Sequence, residues 1–274
     1  MDNKPLAIHK IYLVRHGDVN VAADICYGQL DCAVTDSFDG DLLKLTSYVK
    51  TNVMDKLKVN EVPLIISSPL TRCLALAEGL KLNLELEFHP EKELKVSEYS
   101  QSAFFNPIEL QINEGFQEIN FGDWEGLTWQ DIGQQAIQDW SDGLLDYTFK
   151  NGESAREFDH RVIQAWDELQ SKLNGLNQAN SLDNLNSLDN LNSLDNLNNL
   201  NKLNNLNQAN QEQQSKTIII ICHAGVIRSI LSAFLHIPLQ HSLSLKIDKM
   251  SVSSIDLVPA QAELSRCIGV NHLL

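Results

Sequence analysis

Residues 11–17 read Ile-Tyr-Leu-Val-Arg-His-Gly, and residues 218–225 read Ile-Ile-Ile-Ile-Cys-His-Ala-Gly. In both stretches an apolar run ends at a histidine, His16 in the first and His223 in the second. An uninterrupted aliphatic run is typical of a strand that is buried on both faces of a parallel sheet. Open α/β sheets bind their ligands at the carboxyl ends of such strands. We therefore predict that both histidines lie at one binding site.

The rest of the chain alternates between helix-like and strand-like stretches. Hydrophobic spacing predicts helices over residues 37–57, 70–80 and 129–145, and strands over residues 62–68 and within residues 85–97. Pro69 stands where the second helix can start, because proline has its φ already set and lacks a backbone amide. Ser154 and Glu157 form a capping box in front of a further amphipathic helix. This alternation predicts an α/β fold with a mainly parallel sheet.

An Asn- and Leu-rich tract interrupts the alternation. The hexapeptide Ser-Leu-Asp-Asn-Leu-Asn begins at residues 181, 187 and 193, and leucine recurs at every third position. On an α-helix this spacing spirals around the axis and forms no stable apolar face, and asparagine favours local turns. We predict one domain over residues 1–274, interrupted by a disordered low-complexity insertion at residues 175–215. The alternatives are an extension of the preceding helix and a tract that mediates association.

Composition limits the classes of partner. The 274 residues carry a formal net charge of −15, which argues against a surface for nucleic acid or anionic membranes. The sequence has no long uncharged apolar stretch and does not start with a secretory signal pattern, so we expect a cytoplasmic protein. The five cysteines include no Cys-x-x-Cys pair, which favours reduced thiols over disulfides or a zinc knuckle. Cys222 ends an apolar strand and is predicted to be a core residue rather than a nucleophile.

Three side chains that suit an anion follow separate predicted strands. Arg15 precedes His16, Arg72 lies in the first turn of a predicted helix, and His223 ends the run over residues 218–222. They supply positive charge and hydrogen-bond donors, and the helix start near Pro69 adds oriented amides. In a chain of such negative charge, this group of cationic and donor side chains is a local exception. The group predicts a phosphate site.

Glu118 is the candidate general acid. It lies in an aromatic- and glycine-rich stretch, residues 116–126, which read Phe-Gln-Glu-Ile-Asn-Phe-Gly-Asp-Trp-Glu-Gly. Such a loop can exclude water from a carboxyl group. A carboxyl group in that environment is suited to donate a proton to a leaving group.

Four motifs resemble those of the histidine phosphatase superfamily, the phosphoglycerate-mutase-like proteins. In chain order they are Arg15-His16-Gly17, Ser68-Pro69-Leu70-Thr71-Arg72, Glu118 with residues 121–126, and His223-Ala224-Gly225-Val226-Ile227-Arg228. The resemblance covers residues 9–270 apart from the repeat tract. It implies a three-layer sandwich, in which helices flank a mainly parallel central sheet, and a phosphoric monoester hydrolase.

Other stretches resemble the alpha-ribazole phosphatases, which remove a 5′-phosphate from a nucleoside in cobalamin biosynthesis. These stretches are Tyr27-Gly28-x-x-Asp31, residues 151–154 before a helix that contains Trp166, and residues 266–270. Many members of the superfamily show Glu-Thr-x-x-Asn after Arg-His-Gly, whereas Asp18, Val19 and Ala22 stand at those places here. A polar contact to the phosphate is therefore missing or supplied differently, and Asn20 is the candidate to replace it.

The resemblance also implies a mechanism with a phosphohistidine intermediate. His16 would attack phosphorus, and Glu118 would protonate the leaving alkoxide and then help water to attack. Arg15, Arg72 and His223 would stabilise the phosphoryl oxygens. No metal or other cofactor is required. The expected partner is a small phosphorylated substrate, with no nucleic acid and no membrane, and the sequence does not indicate an oligomeric state.

Three other functions use some of the same residues. A phosphoglycerate mutase would retain and return the phosphoryl group, whereas the sequence around Glu118 resembles phosphatases. Protein phosphohistidine phosphatases tend to be shorter and to lack the Trp-Glu-Gly loop. A non-enzymatic scaffold that binds phosphoesters is the third alternative, and the presence of both His16 and Glu118 argues against it.

Overall fold

Six strands form one sheet in the computed structural model, which describes residues 6–58, 61–88, 107–186, 215–259 and 261–274. The strands in these ranges are β1 (His9–Arg15), β2 (Leu64–Ser67), β3 (Leu110–Ile112), β4 (Thr217–Cys222), β5 (Ser251–Leu257) and β6 (Arg266–Leu273). Their order across the sheet is β3-β2-β4-β1-β5-β6. The first four are parallel, whereas β5 runs antiparallel to β1 and β6 antiparallel to β5. The predicted mainly parallel sheet is confirmed.

Helices connect the parallel strands. In the described ranges they are α1 (Phe38–Asn52), α2 (Thr71–Phe88), α3 (Trp129–Ile132), α4 (Gln134–Gly143), α5 (Ala155–Asn186) and α6 (Ala224–Phe234). The predicted capping box opens α5, because the amide and hydroxyl of Ser154 donate to the Glu157 carboxylate at 2.7 and 2.8 Å. The Glu157 amide donates back to Ser154 Oγ at 3.2 Å. These bonds satisfy donors that a helix start leaves unpaired.

The strand β4 contributes to two cores, one on each face of the sheet. Ile218 and Ile220 pack with α5 and α6, whereas Ile219 and Ile221 pack with α1 and α2. All four side chains are fully buried, and each such burial stabilises the fold by about 1.5–3 kcal/mol. Successive side chains of a strand point to opposite faces, so an unbroken isoleucine run requires a helical layer on both sides. The expected three-layer sandwich is confirmed.

The second helix differs from its prediction at both ends. It begins at Thr71, one residue after the predicted start at residue 70, since the Leu70 carbonyl accepts the first helical hydrogen bond, from the Leu74 amide at 3.0 Å. It continues to Phe88, so residues 85–88 are helical and the strand expected from residue 85 is wrong there. Residues 89–97 of that expectation lie outside the described ranges. The helix is extended by tertiary packing of Leu80 and Leu84, both fully buried, in the core shared with α1.

Two other predicted segments are divided or extended. The helix expected over residues 129–145 is two helices, α3 and α4, which are separated at Gly133 with φ 84°. The helix α5 continues to Asn186, so the first part of the expected insertion, residues 175–186, is helical rather than disordered. Residues 187–214 lie outside the described ranges, and the insertion itself stays a prediction.

All five cysteines are free thiols, and Cys222 is fully buried in the core. Burial raises the pKa of the Cys222 thiol well above its ordinary value. This agrees with a packing role.

Among the residues that the structure describes, no helix is long and apolar enough to cross a membrane.

His9 is a buried titratable group at the start of β1, far along the strand from His16. Its Nδ1 accepts a hydrogen bond from the Lys216 amide at 3.1 Å, so the proton of the neutral ring is on Nε2. Nε2 is buried and has no hydrogen-bond partner within the described ranges. Burial, and secondarily the Lys216 charge, lowers the pKa of His9 to about 4.

We expect His9 to make the protein sensitive to acid. Its folded pKa lies below the ordinary value of 6.5, so the unfolded chain binds the proton more tightly and stability is lost as the pH falls from 6.5 towards 4. His9→Asn keeps an acceptor for the Lys216 amide but does not titrate. As the pH falls from 7 to 4.5, the free energy of unfolding in urea should decrease in both proteins. The decrease in His9→Asn should be about 2 kcal/mol smaller than that in the wild type. An equal fall in both proteins would contradict this origin of acid sensitivity.

Candidate active site

The carboxyl ends of β1 and β4 bring the two motif histidines together. The strands are parallel, with Arg15 opposite Cys222, so His16 and His223 follow at the same edge of the sheet. The His16 amide donates to the Cys222 carbonyl at 3.1 Å. The two imidazole centroids are 5.1 Å apart, with an interplanar angle of 65°. Backbone register therefore fixes the pairing that the two apolar runs predict.

The ring of His16 is held in one tautomer by a backbone hydrogen bond. Its Nδ1 lies 2.7 Å from the Gly17 carbonyl oxygen, which only accepts, so Nδ1 carries the proton and Nε2 keeps its lone pair. Burial is the main cause that holds the pKa of His16 well below its ordinary value, followed by the positive charge of Arg72. The ring is therefore neutral near pH 7.

His223 is fully buried behind His16. Its Nε2 lies 2.8 Å from Ser68 Oγ and 3.5 Å from Cys73 Sγ. Burial, then His16 and Arg72, lowers the pKa of His223 well below the ordinary value. The positive charge expected of His223 is therefore wrong for the free protein, because a cation so deeply buried beside two arginines is unfavourable. Its role in the resting site is that of a neutral hydrogen-bonding group.

Two arginines supply the positive charge of the site. Arg72 is almost completely buried in α2, and its Nη1 and Nη2 donate to the carbonyls of Leu30 and Gly28 at 2.9 and 2.5 Å. Arg15 Nη1 donates to the Ile247 carbonyl at 2.6 Å. Within the described ranges the Nε atoms of both arginines are buried and without a hydrogen-bond partner. The pair retains donor capacity that an anion could use.

Two carboxylates hold the loop behind Arg72, and no sequence motif predicts this role for either of them. Asp31 accepts from the amide and hydroxyl of Thr71 at 2.8 and 2.7 Å, which ties the loop to the start of α2. The Glu125 carboxylate accepts from four backbone amides at 2.8–3.0 Å, those of Gly28, Gln29, Leu30 and Phe121. Glu125 is thus committed to holding two loops together. Three of its four partners lie at least 95 residues away in sequence, so no local pattern signals the role.

Glu118 approaches the histidine pair through Gly225. We call residues 115–120 the acid loop. Glu118 Oε2 accepts from the Gly225 amide at 3.1 Å, and Oε1 accepts from the Ile119 amide at 3.2 Å. A Cβ at Gly225 would lie 2.2 Å from Oε1, so this approach requires glycine two residues after His223.

A cavity of about 500 Å³ joins these groups. Arg15, His16, Arg72 and Glu118 line it, and Arg228 adds a further guanidinium. Most of its remaining surface is apolar, and we define the apolar wall as Tyr27, Phe121, Trp129, Trp140, Leu144 and Leu239. Trp129 and Trp140 stack with centroids 6.4 Å apart and an interplanar angle of 14°. The cavity therefore combines a charged end with an aromatic one.

Two predicted site residues, His223 and Asn20, are not among the residues that line the cavity. The ring of His223 lies beside that of His16, which does line it. Asn20 lies in the loop after β1. It is exposed, and its amide donates to the Ala33 carbonyl at 2.8 Å. Its expected contact with phosphate stays a prediction.

No group of three or more His, Cys, Asp or Glu side chains suited to hold a metal ion occurs among the described residues.

The fold and the site define an α/β protein with two adjacent histidines and a cavity lined by arginines at one edge of its sheet. The sequence profile of the histidine phosphatase superfamily (branch 1) matches residues 99–179 and 203–268, together just over half of the chain. The chain belongs to this superfamily and is a phosphoric monoester hydrolase. No curated protein matches it by sequence.

Solved structures share the fold at low sequence identity. A mycobacterial glucosyl-3-phosphoglycerate phosphatase is 17% identical with a TM-score of 0.61, and the match covers 97% of this chain and 99% of that one. An alpha-ribazole phosphatase from Shigella flexneri is 17% identical with a TM-score of 0.57, covering 97% and 98%. A phosphoserine phosphatase from Entamoeba histolytica is 16% identical with a TM-score of 0.56, covering 96% of each chain. These likenesses support the predicted phosphoglycerate-mutase-like architecture.

Proposed function

We propose that this phosphatase hydrolyses a small phosphomonoester through a phosphohistidine at His16, with alpha-ribazole 5′-phosphate of cobalamin biosynthesis as the specific candidate. The observation that carries the mechanism is the hydrogen bond from Nδ1 of His16 to the Gly17 carbonyl, at 2.7 Å. It leaves the lone pair on Nε2, and burial with nearby positive charge keeps the pKa of the ring low. An imidazole in this state is a ready nucleophile near pH 7.

In the first step Nε2 of His16 attacks phosphorus while the bond from phosphorus to the ester oxygen breaks. Arg15 and Arg72 stabilise the equatorial phosphoryl oxygens, since both side chains line the cavity together with His16. His223 is the further donor that we propose for these oxygens, since its ring lies beside that of His16, with centroids 5.1 Å apart. The protonated carboxyl of Glu118 transfers its proton to the departing alkoxide, which leaves as an alcohol.

In the second step Glu118, now a carboxylate, takes a proton from water as that water attacks phosphorus. The bond between phosphorus and Nε2 breaks, inorganic phosphate leaves, and His16 returns to its neutral form. The hydrogen bond from the Gly225 amide supports this role, because it holds the Glu118 carboxyl group two residues from His223 in sequence and in the same cavity as His16. The scheme assigns no step to a metal ion.

The apolar wall supports a leaving group that contains an aromatic ring. A ring system buried against Trp129 and Trp140 gains both apolar contact and stacking. A serine or glyceric acid moiety offers little apolar surface to such a wall. The base of a ribonucleoside fits it better, which favours alpha-ribazole 5′-phosphate over phosphoserine and over phosphoglycerates.

We expect the purified protein to release inorganic phosphate from alpha-ribazole 5′-phosphate with a kcat/KM at least tenfold above that for phosphoserine or 3-phosphoglycerate, since tenfold needs only ~1.4 kcal/mol of extra binding. Phosphate release, measured with all three substrates under the same conditions, checks the prediction. Trp129→Ala should reduce this preference, and Leu264→Ala, which changes an exposed apolar side chain that does not line the cavity, is the matched control. A preference for phosphoserine would overturn the specific substrate, and phosphoryl transfer between hydroxyl groups without release would indicate a mutase.

A further inference from the structure

Arg161 of α5 makes an unusual set of hydrogen bonds to the acid loop. Its Nη1 donates to the carbonyls of Gly115 and Gln117 at 3.1 and 3.2 Å, and its Nη2 donates to the carbonyl of Glu118 at 3.3 Å. A single guanidinium therefore contacts three backbone carbonyls within four residues. The third of them belongs to the candidate acid itself.

Glu153 completes the arrangement on the other side of Glu118. Its Oε1 accepts from Arg161 Nη2 at 2.6 Å and from the Asn120 amide at 2.9 Å. Arg161 Nε donates to Glu153 Oε2 at 3.3 Å. The Arg161 and Glu153 pair thus holds the backbone before and after Glu118, and about three-quarters or more of each of the two side chains is buried.

We propose that Arg161 is a positioning residue for proton transfer, which acts by fixing the backbone of Glu118 so that its carboxyl group meets the leaving oxygen. The inference rests on the proposed role of Glu118 as the acid. Arg161 does not line the cavity and so does not itself reach substrate. Its effect passes through the carbonyls of the acid loop.

The geometry requires arginine rather than a positive charge alone. The planar guanidinium presents five N–H donors in a fixed fork, which matches three carbonyls and a carboxylate together. A lysine ammonium at this position keeps the charge, but it is a compact group with three donors and does not span the same acceptors. Arg161→Lys therefore separates the geometric role from a purely electrostatic one.

The experiment compares kcat/KM for an alkyl phosphate and for p-nitrophenyl phosphate in five variants. Four are the single variants Arg161→Lys, Arg161→Gln, Glu118→Gln and Arg156→Gln, and the fifth combines Glu118→Gln with Arg161→Gln. This parameter reports the steps up to phosphoenzyme formation, in which only the alkyl ester needs a proton on its leaving oxygen. Arg156 is the matched control, because it is an arginine on the same helix that pairs with exposed Asp146 at 2.7 Å. Far-UV circular dichroism and Tm report whether each variant is folded.

We expect kcat/KM of both Arg161 variants to fall by about ten- to a hundredfold for the alkyl ester and by less than about threefold for p-nitrophenyl phosphate. The loss for the alkyl ester is a part of the total effect of a general acid. Arg156→Gln should leave both values unchanged. In a Glu118→Gln background, adding Arg161→Gln should change the alkyl value little further, because the proton transfer that Arg161 supports is already lost.

Equal losses on the two esters in Arg161→Lys would overturn the positioning role. Full activity of Arg161→Lys together with a selective loss on the alkyl ester in Arg161→Gln would also overturn the positioning role, because a positive charge alone would then be enough. If Arg161→Gln does not fold, the Arg161→Lys result decides alone. Failure of Glu118→Gln itself to separate the two esters would instead refute the proposed acid, and the two failures are thereby distinguishable.

Discussion

Replacing His16 with alanine should lower kcat/KM for p-nitrophenyl phosphate by roughly four to six orders of magnitude, as expected when the nucleophile of covalent catalysis is removed. Nε2 of His16 is the atom that the hydrogen bond at Nδ1 leaves free to attack. A good leaving group does not compensate, because the phosphorus still lacks an attacking atom. The measurement is phosphate release, together with detection of an acid-labile, alkali-stable phosphate on the wild-type chain.

His160→Ala is the matched control for this prediction. His160 is an exposed histidine of α5, away from the candidate active site, so its loss should leave both activity and covalent labelling unchanged. A folded His16→Ala variant that keeps near-normal turnover would refute the phosphohistidine mechanism. Labelling of that variant would place the covalent phosphate on another residue.

Replacing Glu118 with glutamine should produce the second-largest effect, and the effect should depend on the leaving group. We expect kcat/KM for an alkyl phosphate to fall by about a hundred- to a thousandfold, and that for p-nitrophenyl phosphate by less than about tenfold. An alkoxide needs a proton as it departs, whereas a nitrophenolate leaves readily without one. Glutamine keeps the shape of the side chain and an acceptor for the Gly225 amide.

Glu125→Gln is the control for Glu118→Gln. Four backbone amides already occupy the Glu125 carboxylate, so this variant should weaken both loops and reduce activity on the two esters by similar factors. A selective loss on the alkyl ester in Glu125→Gln, with none in Glu118→Gln, would exchange the proposed roles of the two glutamates.

The sequence predicts those parts of the fold that rest on local patterns. The isoleucine run of β4 indicates a strand buried on both faces, and two helical layers do cover it. Two such strands that end in histidines predict one shared edge, and parallel register brings His16 and His223 to it. The capping box at Ser154 also forms as expected.

Elements stabilised by distant contacts were not predictable in the same way. The strand β5 reads Ser-Val-Ser-Ser-Ile-Asp-Leu, a pattern that no long apolar run marks, and its antiparallel pairing with β1 depends on the whole sheet. The end of α2 depends on packing against α1. Helix propensity alone does not place such boundaries.

Site residues that bind backbone groups were not predictable from the sequence, for a related reason. Arg161 and Glu125 meet carbonyls and amides, which every residue carries, so neither partner has a recognisable side-chain type. Asp31 resembles a family position, but its bond to Thr71 appears only once the loop and α2 are in contact. The neutral state of His223 likewise follows from burial, which a motif does not reveal.

Backbone register sets the spacing of the two histidines, whereas other elements form much of the apolar wall. The residues proposed for the chemistry and those proposed for substrate selectivity therefore lie on different parts of the fold. Much of the apolar wall comes from α3, from residues 134–144 and from the 3-10 helix Leu239–Ser244, none of which contributes a strand to the sheet. A substitution in the wall can therefore change which alcohol fits without moving His16 relative to His223. A directed search for activity on new phosphate esters should therefore begin with Trp129 and Trp140.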